Sequence, residues 1–266
     1  MDGAAPCTIA VEGRGLPTDT FAERYVRRRL PVVIRNATAG RARAARFRQL
    51  TTIAELARRF GDVNVTLSSA NAFSYGRQRV ALGEYLGNVT ADSAADWADG
   101  GARSDEIFYF FGEHGVELAP LLKEYELPAY AAAARDADAR PAPPAAPPSF
   151  LRAAWPAPAP AEDEREPALS FGVAAGASGV PFHFHNDGFS EVMHGAKRWL
   201  LYPGKPPRFR ENGTSSAWLE HEYPRLPPRK RPRQCVIGPA DLLYFPTGWW
   251  HATVNVGITV FMSTFL

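Results

Sequence analysis

The residues in this chain best suited to chemistry are histidines. Three of its six histidines fall in two compact motifs. Pro181-Phe-His183-Phe-His185-Asn-Asp-Gly188 sets two imidazoles at i and i+2, which project from one face of an extended strand. Pro246-Thr-Gly-Trp-Trp-His251-Ala-Thr-Val-Asn255 delivers a third behind a Pro-Gly turn and two tryptophans. On its own an HxH pair also fits two half-buried core histidines. With a third histidine at a suitable distance downstream, the pattern reads as a site for a divalent transition metal, because imidazole suits iron, zinc, copper and nickel. Asn186-Asp-Gly188 is a turn signal. A three-residue loop there would bring Glu191 near His183 across a hairpin, making Glu191 a candidate supplementary ligand, with a rim or supporting role as the alternative. His114, His194 and His221 lie outside any motif and read as surface or loop residues.

The elements that must carry these histidines read as strands. From Ala168 onward the pattern is short strands punctuated by Gly, Pro and Asn: Leu169 to Val173, Pro181 to His185, Phe189 to Met193, Trp199 to Tyr202, Cys235 to Ile237, Leu242 to Phe245 and Thr259 to Phe265, interrupted by a helix near Ser215 to Glu222. Lys197, Trp199 and Leu201 share one face of a strand, so an inward Trp199 carries the lysine inward with it. Residues 1–130 read as a mixed α and β part packed on the barrel. Thr20 with Glu23, and Thr52 with Glu55, are capping-box patterns that open helices, with Pro31 closing the first and Gly61 the second. A strand is expected at Leu30 to Ile34, another along Val63, Val65 and Leu67, a short helix at Leu82 to Leu86 and a β-prone run at Ile107 to Phe111. Residues 131–168, rich in Ala and Pro, read as a flexible insertion between that part and a β core over 169–266.

Composition narrows the setting. A chain of 266 residues, 45% hydrophobic, can bury a sizeable core. A net charge of +2 gives no basic excess of the kind that marks nucleic-acid binders. The basic cluster Arg225, Arg229, Lys230, Arg231 and Arg233 is broken by prolines and reads as a solvated loop. No apolar run is long enough to span a bilayer. Met1 to Pro6 lacks the basic and apolar regions of a signal peptide. Four glycosylation sequons, at Asn36, Asn64, Asn88 and Asn212, argue instead for the secretory pathway and a start that has lost its leader; a genuine start would make the protein cytoplasmic. Counting alone leaves the two cysteines, Cys7 and Cys235, open between a pair and unrelated free thiols.

Four stretches, Gly179-Val-Pro-Phe-His183, Gly195-Ala-Lys-Arg-Trp-Leu-Leu-Tyr-Pro203, Gly238 to His251 and Gly257-Ile-Thr-Val260, resemble the JmjC branch of the iron- and 2-oxoglutarate-dependent dioxygenases. The resemblance implies a double-stranded β-helix (jelly-roll, cupin-like) core, mainly β with flanking helices. It reaches a member of the endoplasmic-reticulum lumen through Cys7-Thr8, Asn71-Ala-Phe-Ser-Tyr75, Phe108 to Gly112, Trp218-Leu219, Cys235 and Ser263-Thr-Phe-Leu266. It therefore implies that location, a Cys7–Cys235 disulfide, and metal ligands at His183 and His251. The family carries Asp or Glu where this chain has His185, which raises the charge of the site by one and changes its oxygen chemistry. Lys197 matches the lysine that pairs with the far carboxylate of 2-oxoglutarate, so a carboxylate ligand or side chain is expected beside it. Ser263 stands at the family's late-strand Asn, with Asn255 a further candidate for cofactor contact, whereas Val180 replaces a hydroxyl that bonds the cosubstrate. The resemblance thus implies an atypical JmjC protein holding Fe(II) or another divalent metal, with weak or absent hydroxylase activity and a role through protein partners. Two rivals remain: an active Fe(II)/2-oxoglutarate protein hydroxylase, and a small-molecule cupin enzyme using His183, His185, Glu191 and His251.

Overall fold

A computed structural model describes residues 7–69, 76–99, 108–112, 116–138, 166–210 and 213–266. Among the described residues ten strands form one sheet: β1 (Ala10–Gly13), β2 (Val32–Arg35), β3 (Asn64–Ser69), β4 (Arg77–Ala81), β5 (Phe108–Phe111), β6 (Ala168–Ala174), β7 (Gly188–Tyr202), β8 (Arg233–Ile237), β9 (Leu242–Phe245) and β10 (Trp250–Phe265). The order is β1-β2-β9-β7-β10-β6-β5-β3-β4, with β8 on β7. Mainly β with flanking helices, this is the cupin-like jelly roll expected from the sequence.

The sheet folds over because β7 and β10 bend together, which packs Val192 of one half of β7 with Trp199 and Leu201 of the other. Sequence alternation suggested two strands at Phe189 to Met193 and Trp199 to Tyr202, but they are halves of one 15-residue strand. The bend falls at Gly195, whose φ is +76° and where a Cβ would lie 2.1 Å from the Ile258 carbonyl oxygen, a place only glycine can fill. The paired register of β10 shifts between Val256 and Val260, beside the same corner. The first half of β7 pairs with β9 and the second half with β8. The two halves therefore face each other across a lined interior.

Residues 1–130 supply β1 to β5 to this sheet, and their helices cover its outer face. Helices α2 (Ala42–Leu50), α3 (Ile53–Phe60) and α4 (Leu82–Asp99) bury Phe47, Leu56 and Leu86 with Phe171, Met193 and Val260 of the sheet. At Thr52 half of the expected capping box forms: its hydroxyl accepts from the Glu55 N–H, while the Glu55 carboxylate turns to Arg58. Gly61 is right-handed (φ −55°), so it is no left-handed stop; a Cβ there would meet the Ala57 oxygen at 2.4 Å. The box at Thr20 is not used: α1 (Thr18–Phe21) starts after Pro17 and runs into a π-helical turn over Ala22–Val26. The expected short helix at Leu82 extends to Asp99.

The insertion was expected to begin at residue 131. Residues Ala131–Asp138 instead form a helix, numbered α6 after α5 (Ala119–Leu122), with Ala131 and Ala134 buried against Phe21 and Tyr130. Alanine favours a helix once one face is packed, and the composition hid that face. Residues 139–165 lie outside the described residues, as do Asn71 to Tyr75 and His114. The expected helix near Ser215 divides into α7 (Ser215–Ala217) and a π-helical turn over Trp218–Glu222. Cys7 and Cys235 are disulfide-bonded, tying the N-terminal segment to β8. Among the described residues no helix is long and apolar enough to cross a membrane.

Candidate metal centre

The segment carrying the HxH pair was expected to be a strand and is not a regular one. Residues 177–185 run beside the start of β10, held by Asn255 N–H to Ser178 O, Thr253 N–H to Val180 O, and reciprocal bonds between His183 and His251 of 3.0 and 2.8 Å. Pro181 has no N–H to offer, so the ladder is broken into single bridges. Gly179 permits the approach: a Cβ there would sit 1.9 Å from the Thr253 oxygen.

His251 arrives on the other side through the Pro246–Trp249 turn, which has Gly248 at φ +79°. The sequence reading missed what fixes this turn. Asp187, buried, accepts from the Thr247 backbone N–H, from the Thr247 hydroxyl (2.7 Å) and from the Tyr244 hydroxyl (2.9 Å). In the sequence Asn186 and Asp187 give only a turn signal. The Gly248 N–H to His185 O bond then joins turn to HxH segment.

These elements bring His183, His185 and His251 together, with one potential ligand atom from each inside a 4.8 Å group. The protonation pattern follows from the partners. His183 Nδ1 lies 2.8 Å from Pro181 O, His185 Nδ1 2.7 Å from Asn186 O, and His251 Nδ1 2.9 Å from Trp249 O. A carbonyl oxygen only accepts, so each Nδ1 donates and carries the proton. Each neutral ring then presents an Nε2 lone pair. The Nε2 atoms of His185 and His251 are 3.1 Å apart, too close for two lone pairs without a cation between them. Two nitrogens about 2.1 Å from one ion lie about 3.0 Å apart at a right-angled site and about 3.4 Å at a tetrahedral one. The donor set and its spacing fit a divalent transition metal.

Apolar walls keep these imidazoles neutral. Phe245 stacks on Trp199 and tilts against His251, and Phe265 meets His185 edge-on. Desolvation lowers the pKa of His183 to about 4 and of His185 to about 3, and burial pushes that of His251 well below the ordinary value. The cavity they share measures about 40 Å³ and is completed by Val180, Lys197, Thr253, Phe261 and Ser263.

Lys197 lies in the cavity wall, as its strand parity required, and is 2% exposed. The expected carboxylate side chain is missing: among the described residues the ammonium stands 3.3 Å over the Phe261 ring and 3.4 Å from Asn255 Oδ1. Burial draws its pKa well below that of an ordinary lysine. Asn255 is held by Ser178, to which its amide donates, and so supports Lys197. Ser263 faces the cavity from β10.

Glu191 does not join the site, which overturns its place as a supplementary ligand. By residue count it shares the parity of Lys197, but the register shift of β7 against β10 between Val192 and His194 reverses the faces, and Glu191 points away from the cavity, accepting from the Tyr125 hydroxyl at 2.8 Å. Burial raises its pKa despite bonds from Tyr125 and Thr38. No three-residue hairpin forms at Asn186 to Gly188; β7 begins at Gly188 and pairs there with Phe245 of β9. The ligand set His183, His185, Glu191 and His251 of a small-molecule cupin is therefore not assembled. His194 is also not a plain surface residue, since its ring bonds Arg48 O at 2.8 Å, whereas His221 is exposed. The sequon asparagines Asn36, Asn64 and Asn88 are exposed, and Asn212 lies outside the described residues.

Residues 17–265 match the cupin-like domain family. JmjC domain-containing protein 8 of Homo sapiens is 38% identical over 248 residues, covering 92% of this chain and 79% of the relative. The Rattus norvegicus protein of that name is 37% identical over 238 residues, covering 89% and 74%. A more distant likeness, 30% over 115 residues, reaches 36% of this chain and 29% of the bifunctional arginine demethylase and lysyl-hydroxylase psr-1 of Caenorhabditis briggsae.

Proposed function

The chain belongs to the cupin-like JmjC-domain family, and on that premise we propose that it is a metal-binding protein of the endoplasmic-reticulum lumen. In this reading it has weak or absent 2-oxoglutarate hydroxylase activity and acts through protein partners. The observation that carries the reading is His185, an imidazole in the family's carboxylate position, with its Nε2 facing that of His251 at 3.1 Å.

His183, His185 and His251 would hold Fe(II) or another divalent metal, each oriented by a backbone carbonyl on its Nδ1. A metal so held supplies a Lewis-acid or redox centre, with a net charge one unit higher than a two-histidine, one-carboxylate set leaves. Trp199, Phe245 and Phe265 give the ligands an apolar wall on one side, while His183 and His185 remain half-buried. The cavity of about 40 Å³ has room for a few waters. A cavity of about 150 Å³ holds benzene, so the enclosed space beside the histidines is small for a five-carbon dicarboxylate, which suits weak cosubstrate binding. Lys197, already resting on Phe261 and Asn255, adds to the case for weak cosubstrate binding. The disulfide suits an oxidising compartment, and three exposed sequons suit glycan attachment.

A second reading, an active protein hydroxylase, is favoured by Lys197 itself, a cavity cation with no carboxylate partner among the described residues. Metal analysis with a 2-oxoglutarate turnover assay separates the two. The parent is expected to bind metal without turnover, and His185→Asp to gain turnover. Robust turnover by the parent selects the second reading, and no bound metal in either protein removes the site. Protein secreted behind a signal peptide should lose mass on N-glycosidase treatment; an unchanged mass argues against the lumen.

A further inference from the structure

The basic cluster expected to be a solvated loop has a fixed place in the fold. Pro228–Lys230 form a 3-10 turn, closed by bonds from Lys230 N–H to Pro227 O and Arg231 N–H to Pro228 O. The Tyr202 hydroxyl donates to Lys230 O, and Arg231 Nε donates to Leu226 O. Two guanidinium groups rest on rings, Arg231 over Tyr223 at 5.2 Å and Arg233 over Trp249 at 5.3 Å. Trp249 also joins a remote segment to the cluster: its indole N–H donates to Arg29 O at 2.9 Å. The Trp249 contact thus brings the Arg28–Arg29 segment next to Arg233, and Arg28, Arg29, Arg229, Lys230, Arg231 and Arg233 are all exposed.

Arg24, Arg35, Arg41, Arg46 and Arg58 each have a carboxylate partner. Among the described residues none of the six cations here forms an ion pair. Concentrating unpaired charge in a chain of net charge +2 costs self-repulsion that a partner would relieve. Trp249, under the Arg233 guanidinium, also turns its carbonyl to His251 Nδ1 at 2.9 Å.

We propose that this face docks an acidic polypeptide segment and presents it beside the mouth of the histidine-lined cavity. Five of the six cations are arginines, whose planar forks pair with carboxylates through two bonds, and the prolines and turns hold them in place at low entropic cost. No large exposed apolar side chain lies in 27–29 or 225–233 to enter a bilayer, and the near-neutral remainder of the chain offers no extended track for nucleic acid. The inference rests on the partner role proposed above and deepens it. Its test contains no turnover step, so its failure leaves the metal site untouched.

The test is fluorescence anisotropy of the full chain with a labelled peptide of mixed Glu and Asp. Binding is expected to weaken with added salt and to fall about tenfold in Arg229→Glu with Lys230→Glu, whose side chains make no internal contact in the structure. Arg233→Glu should weaken it too, and reversal of Arg58 and Arg59 on α3 should leave it unchanged. No binding at low salt, or equal loss in the α3 variant, overturns the proposal. So does tighter binding of a single-stranded oligonucleotide or of phosphatidylserine vesicles than of the peptide.

Discussion

Removing the Cys7–Cys235 disulfide should lower the melting temperature by about 10 °C. The bond closes a loop with a sequence separation of 228. In the chain-entropy account, a cross-link over so long a loop removes about 5 kcal/mol of conformational freedom from the unfolded chain. Measured gains fall short of that limit, and about 3 kcal/mol is a usual return. For a chain of this size each kcal/mol moves the midpoint by about 2–4 °C. The folded state should change little. Thr8 N–H donates to Gln234 O at 2.7 Å, Gln234 N–H donates to the Thr8 hydroxyl at 2.9 Å, and β1 stays paired with β2. Cys7→Ser with Cys235→Ala, compared with the oxidised parent by thermal unfolding in circular dichroism, measures the effect. A midpoint within about 2 °C of the parent would refute the entropic reasoning. Two titratable thiols in the denatured, unreduced parent would refute the bond itself.

Asp187→Ala should cost about 3 kcal/mol, since three hydrogen bonds to Tyr244 and Thr247 are lost together, and it should weaken metal binding more than overall folding; equal metal affinity would show that the Pro246 turn stands without it. Gly179→Ala should cost about 3 kcal/mol or more, because its methyl group would meet the Thr253 oxygen at 1.9 Å; chemical denaturation reads this, and a neutral result would mean that the bridging segment moves freely. Glu191 has a raised folded-state pKa through burial. The folded state therefore holds that proton more tightly than the unfolded chain, and its contribution is greatest below about pH 4.5 and lost as pH rises through the raised value. Glu191→Gln should flatten that slope, measured as denaturant midpoint against pH; an unchanged slope would place the titration elsewhere.

The amino-acid sequence determined the local and periodic features. Thr52 caps α3 because an N-cap hydroxyl acts within four residues. The strand β9 runs over the predicted Leu242–Phe245, an apolar run bounded by turn residues. Lys197 and Trp199 share an inward face because strand parity is fixed by the backbone. The two histidine motifs were legible for the same reason, as residue types at short spacing. Tertiary structure decided what lay between distant segments. Whether Glu191 reached the histidines depended on the start of β7, and its pairing from Gly188 with Phe245 put that carboxylate on the opposite face, against Tyr125. The helix Ala131–Asp138 formed because Phe21 and Tyr130 were there to cover it, which an Ala-rich composition cannot reveal. Asp187 holds the turn before His251 through Thr247, and Trp249 joins that turn to Arg29; only the folded chain could show these contacts, because the partners lie 60 and 220 residues apart and leave no local signal.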